Sequence, residues 1–131
     1  MLVLVDSNGD CPAEIGPRLR TWAKDEVCDV SVDCSLAKVE YETWFVASAE
    51  SLRKYLDIGT DEAIPPDPEG QRCGKAWIQR RFIGHYNETL GQPKLTTAID
   101  VDLCRRRSPS FDRLCRVIGR FASGRSGQAE A

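Results

Sequence analysis

The chain has 131 residues, of which 41% are apolar, with 18 Lys/Arg against 20 Asp/Glu. That length suits one modest globular domain, expected over 1–122, and excludes two; no apolar stretch approaches bilayer length and no signal-peptide pattern precedes the first strand, so a cytoplasmic protein without membrane contact is expected. The near-neutral total hides an asymmetry: residues 1–69 hold 6 Lys/Arg and 15 Asp/Glu, a balance of −9, and residues 70–131 hold 12 and 5, a balance of +7.

The run Met1-Leu2-Val3-Leu4-Val5 is continuously apolar and reads as a buried strand that delivers Asp6, Asn8 and Asp10 onto the following loop. Oxygen ligands at alternate positions suit a hard cation such as Mg²⁺ or Mn²⁺ better than zinc. An EF-hand is excluded, because Cys11 and Pro17 stand where that loop needs glycine and glutamate. The Asn8-Gly9 pair also fits a tight hairpin, but Cys11-Pro12 and a helical pattern follow in place of a return strand. Pro12 opens a helix capped by Asp10 or Cys11, kinked or restarted at Gly16-Pro17, and running to about Asp25 with Leu19, Trp22 and Ala23 on one face.

From Val27 the period changes to two, with Cys28, Val30, Val32 and Cys34 on one side of a second strand. The segment 40–47 is too apolar for a surface loop, and Glu42 within it would be expensive to bury unless paired or metal-bound. Its other reading is a half-exposed helix-start residue using the N-terminal dipole, and Glu40 is a weaker rival, nearer to solvent by pattern. Ser48 is expected to cap a helix over 49–57, with Leu52, Tyr55 and Leu56 inward. Residues 59–74 hold three prolines and three glycines and read as an exposed loop.

A helix over 75–86 aligns Ile78, Phe82 and Tyr86, with His85 as a packing or capping residue. Asp100 caps a short helix to about Arg106, and Ser108 caps the clearest helix of the chain, with Phe111, Leu114, Cys115, Ile118 and Phe121 on its inner stripe. Residues 123–131 read as a frayed tail. The six cysteines show no zinc-like spacing and are expected to be reduced, structural thiols. Basic residues cluster at Arg105-Arg106-Arg107 and at Arg113 and Arg116; a solvated helix face is their ordinary role, and contact with nucleic-acid phosphates the functional alternative. Only two strands emerge, too few for a sheet with a central strand as apolar as the first. The expectation is that another chain completes the sheet or that an earlier strand is missing.

Four segments taken in order resemble a bacterial family, domain of unknown function 4276: Asp6 to Pro12, Glu42 to Ala47, Tyr86 to Leu95, and Ser108 to Phe111. That family is similar to the TOPRIM-like group, the metal-binding α/β fold of topoisomerases, primases and overcoming-lysogenization-defect nucleases. The resemblance implies a small parallel sheet flanked by helices, with a helical C-terminal third. Asp6 would match the first aspartate of the group's D-x-D motif, with Asn8 at the second; Asp10 would be an additional acid and Glu42 the E-x-W glutamate. It further implies a Mg²⁺ or Mn²⁺ site on Asp6, Asn8, Asp10 and Glu42, and nuclease chemistry carried by Asp6, Asp10 and Glu42. Arg105, Arg106, Arg107, Arg113 and Arg116 would then contact nucleic acid. Relatives are paired with AAA- or ABC-type ATPases in phage-defence settings, so an ATPase partner, or a second copy of the chain, is the expectation under a non-catalytic alternative. The group's fold begins with an earlier strand ending in glutamate, and the expectation is that this is the strand missing here.

Overall fold

The computed structural model describes residues 1–8, 10–27, 29–70 and 74–124. Among them the order is β1 (Leu2–Asp6), α1 (Pro12–Glu26), β2 (Asp33–Ala37), α2 (Glu42–Ala47), α3 (Gly74–Arg81), α4 (Gly91–Ala98), α5 (Val101–Arg107) and α6 (Pro109–Ala122), with 3₁₀ turns at Ala49–Leu52 and Pro68–Gly70. This is an α/β fold: two parallel strands, paired from Leu2 with Asp33 to Asp6 with Ala37, flanked by helices and followed by a helical C-terminal region.

β2 begins later than the alternating pattern suggested. The continuous run Cys34 to Ala37 is buried on both faces, so it takes the sheet position, while Val30 in the alternating segment is half exposed. Cys28 lies outside the described residues. α1 runs uninterrupted through Pro17, and the Thr21 hydroxyl bonds the Pro17 carbonyl at 3.0 Å. Its buried position is Gly16, whose missing side chain lets the helix approach Leu36, whereas Trp22 faces outward at 56% exposure.

α2 is the central rod. All six of its residues are buried, and it separates two apolar clusters. Phe45 and Val46 pack with Leu52, Leu56, Ile78 and Leu95; Trp44 and Ala47 pack with Ala37, Cys104, Phe111 and Leu114. The Trp44 ring stands edge-on to Phe111 at 5.2 Å between centroids.

The remaining elements differ in detail from the pattern reading. The expected helix over 49–57 is a 3₁₀ turn that hands over to an antiparallel bridge between Leu56 and Phe82; Ser48 does not cap it but bonds Ser51 and the Asp100 N–H. That bridge ends α3 early, and His85 is exposed. α4 was not expected; Pro93 stands in its first turn, where its missing N–H is harmless. The segment 59–70 is not uniformly exposed, since Pro68 and Glu69 are buried. On α6 the inner position is Val117, at 1% exposure, and Ile118 faces out at 49%. The caps at Asp100 and Ser108 are present: each side-chain oxygen accepts from the N–H three residues on, Leu103 at 3.0 Å and Phe111 at 3.2 Å.

Cys11, Cys34, Cys104 and Cys115 are free thiols. Burial pushes the Cys104 thiol up to about 12 and also raises Cys34 and Cys115. Brief iodoacetamide treatment at pH 8 should therefore modify exposed Cys11 and spare Cys104, read by peptide mass spectrometry. Equal labelling of both would contradict the packing of α5 beneath Trp44.

Candidate functional site

Beyond the carboxyl ends of β1 and β2 lies a polar crevice of about 410 Å³ lined by Asp6, Asn8, Glu40, Glu42, Lys75, Glu88 and Gln92. Open α/β sheets bind ligands at this end of their strands. The turn that follows β1 and the one that follows β2 are stitched together. The Asn8 N–H donates to the Val39 carbonyl at 3.0 Å, the Val39 N–H to Ser7 Oγ at 2.7 Å, and the Ser7 N–H to the Ala37 carbonyl at 2.9 Å. Both turn residues are left-handed, Asn8 at φ 50° and Val39 at φ 67°. For asparagine that is tolerable, whereas for a β-branched valine it is strained and persists only because these bonds enforce it.

Glu42, the first residue of α2, is buried in the crevice wall. Its Oε1 accepts from the Tyr86 hydroxyl at 2.9 Å and, at 3.5 Å, from Gln92 Nε2. Two glycines make these approaches feasible. A Cβ at Gly74 would lie 3.0 Å from the Thr43 N, so only glycine brings α3 this close to α2; a Cβ at Gly91 would lie 2.8 Å from the Tyr86 ring. The Lys75 N–H donates to Glu40 Oε2 at 2.8 Å, and its ammonium pairs with Glu88. Burial beside carboxylate charge and the hydrogen bond to Glu42 push the Tyr86 phenol upward, so it remains a proton donor.

The Asp6 carboxyl is raised above the ordinary aspartate value, first by desolvation, then by the charge of Glu42; a hydrogen bond from the Tyr41 backbone and the Lys75 charge oppose this. A carboxyl raised on folding binds its proton more tightly in the native state, so its contribution is full at low pH and is lost as pH rises through the folded value. Asp6→Asn should consequently melt above wild type in EDTA at pH 7, with the difference vanishing in acid.

Of the residues singled out in the sequence, Asp6, Asn8 and Glu42 share the crevice. Asp10 does not line it: the turn at Asn8 breaks the alternation, and Asp10 is exposed with its N–H on the Ser7 carbonyl. The arginines lie on α5 and α6, with no part in the crevice lining. Arg105 and Arg116 pair with Asp112, Arg107 with Glu50, and Arg113 with Asp33, while Arg106 is exposed. The cation that does line the crevice is Lys75, which sequence reading passed over along with Glu88 and Gln92. Glu88 and Gln92 had one signal, their place in the Tyr86 to Leu95 segment that carries part of the family resemblance.

Among the described residues no group of three or more His, Cys, Asp and Glu side chains is arranged to hold a metal ion. Asp6, Glu42 and the Asn8 amide supply hard oxygen donors from two elements. That donor set fits a cation that keeps most of its water, as Mg²⁺ does, and not a closed cage.

The fold and crevice define an α/β protein whose strand ends open onto a carboxylate-lined hollow. The chain belongs to the family described as domain of unknown function (DUF4276), whose model matches residues 1–119. No curated protein and no solved structure matches it. Among the described residues no helix is long and apolar enough to cross a membrane.

Proposed function

We propose that the chain is a TOPRIM-like protein acting in divalent-cation-dependent phosphoryl transfer on nucleic acid, with Mg²⁺ or Mn²⁺ drawn to Asp6 and Glu42. The observation that carries this reading is the meeting of those two carboxylates, thirty-six positions apart, in one crevice at the strand ends. A bound cation would supply polarisation of a phosphodiester. The chain's own residues do the rest. Tyr86 and Gln92 hold Glu42 in place through Oε1. Lys75, steadied by Glu88, presents an ammonium to a phosphate, and Asn8 adds an amide at the crevice mouth. Asp10 belongs to the loop outside this set, and the arginines of α5 and α6 offer phosphate contacts beyond it.

The test is a Mn²⁺ titration followed by thermal melting, run beside nicking of supercoiled plasmid, for wild type and Asp6→Asn. Wild type should gain stability with Mn²⁺ by mass action and nick the plasmid; Asp6→Asn should do neither, despite its higher melting point in EDTA. Absence of any cation effect on wild type overturns the reading.

A second reading, a non-catalytic subunit that docks on an AAA- or ABC-type ATPase or on a second copy of itself, is favoured by β1. Leu4 and Val5 are 39% and 37% exposed on a strand that, among the described residues, is paired along one side only. Cation-induced stabilisation without plasmid nicking would select this reading over the first.

A further inference from the structure

The opposite edge of the sheet carries a separate feature, which rests on neither reading above. In the β1–β2 ladder the Asp33 N–H donates to the Met1 carbonyl at 3.0 Å, and the Ser7 N–H to the Ala37 carbonyl at 2.9 Å. A parallel ladder with these ends uses the backbone of Asp33, Ser35 and Ala37. The N–H and C=O groups of Cys34 and Leu36, and the N–H of Lys38, therefore point away from β1.

Among the described residues no third strand meets them; side chains do so in part. The Cys34 N–H turns to Asp33 Oδ1 at 2.8 Å, the Cys34 carbonyl takes a long 3.4 Å contact from Arg113, and the Lys38 N–H reaches Ser110 Oγ at 3.4 Å. Between them the Leu36 N–H and C=O meet no partner among the described residues, although Leu36 is buried. Buried backbone groups without partners are rare in native proteins.

These groups face a groove of about 560 Å³ that runs along β2, walled by α1 through Ala13, Gly16 and Pro17 and by the start of α6 through Pro109 and Arg113. Its walls are largely apolar and its rim is basic. Lys38 is exposed, and its ammonium forms no ion pair among the described residues. Arg113 shares Asp33 with Arg120, so the one acid of the groove is already matched by two cations. Arg20 and Lys24 also line the groove from α1.

We infer that the outer edge of β2, between α1 and α6, is a docking groove for an extended acidic peptide of a partner protein, which joins β2 as a third strand through the Leu36 N–H and C=O. Strand addition supplies main-chain hydrogen bonds along the edge, and alternate side chains of the incoming segment face opposite walls. Apolar side chains fit the α1 wall, and Asp or Glu side chains reach Lys38 and Arg113. A phosphodiester chain would meet the rim charges but offers nothing to the Leu36 N–H and C=O pair in strand geometry.

The experiment uses the full chain, ¹⁵N-labelled, and a fluorescein-tagged pentapeptide, acetyl-Glu-Val-Glu-Val-Glu-amide. Its companions are the Lys-Val-Lys-Val-Lys analogue and a form N-methylated on the central three residues. Anisotropy should show the acidic peptide binding on the order of tenfold tighter than either companion, with the Leu36 amide among the most shifted in the ¹H–¹⁵N spectrum. Double substitution Lys38→Glu with Arg113→Glu should weaken it on the order of tenfold, and Ala13→Trp, at an exposed helix position lining the groove, should block it. The inference is overturned if the Leu36 amide does not move, if the lysine or N-methylated peptide binds equally well, or if a ten-residue thymidine oligonucleotide displaces the acidic peptide more strongly than the peptide displaces itself.

Discussion

Trp44→Ala should strip away a large share of the chain's folding stability at 25 °C and move its urea midpoint well below that of wild type. Removing a buried tryptophan costs about 3–5 kcal/mol, against a total for domains of this kind of about 5–15 kcal/mol. Trp44 is worse placed than the average. It bridges α2 to α6 through Phe111, stacks at a tilt on Tyr41 at 5.1 Å, and donates its indole N–H to Ser110 Oγ at 2.9 Å. Cys104 also sits beneath its carbonyl, 3.4 Å from Sγ. Trp44→Phe keeps most of the ring contacts and should cost only about 1–2 kcal/mol, chiefly the hydrogen bond. Urea unfolding followed by circular dichroism separates the two variants, and an alanine midpoint equal to that of wild type would contradict the central place given to α2.

The next largest effect is expected at Glu69. Its buried carboxylate accepts from the Ser108 hydroxyl at 2.6 Å and from the Ser110 N–H at 2.8 Å, so it closes the amino end of α6 and satisfies a donor that the helix cannot. Negative charge there is also favoured by the helix dipole. Glu69→Leu leaves the Ser110 N–H unpaired and the Ser108 hydroxyl only its 3.3 Å contact with Ser110 Oγ, and should cost about 2–3 kcal/mol, a fall in melting temperature of roughly 6–10 °C. Glu69→Gln retains an acceptor and should lose less than half as much. Equal losses for the two would mean that charge alone, and not hydrogen bonding, accounts for the contact.

The parts of the fold legible in the sequence were those governed by near neighbours. The strand at β1, though not the burial expected of it, since none of its five residues is buried, the caps at Asp100 and Ser108, and the need for Glu42 to find a partner all follow from residues within a few positions. What escaped depended on distance along the chain. Glu69 looked like one acid in a Pro/Gly-rich loop because its partners, Ser108 and Ser110, lie about forty positions away. The start of β2 was misplaced because two-sided burial erases the alternation by which strands are recognised. Lys75, Glu88 and Gln92 reach the crevice only through the close approaches at Gly74 and Gly91. Asp10 shows the converse: regular spacing from Asp6 suggested a shared direction, and a single left-handed residue, Asn8, undid it.

The bonds that hold Val39 left-handed have one more effect. Because the turns carrying Asn8 and Glu40 are tied to each other by these bonds, the two lips of the crevice are held in one arrangement, and a ligand of the kind proposed above would meet a mouth that is already set. Little chain freedom would be surrendered on such an association, and selectivity would rest on which solutes fit that opening, in preference to which ones can mould it.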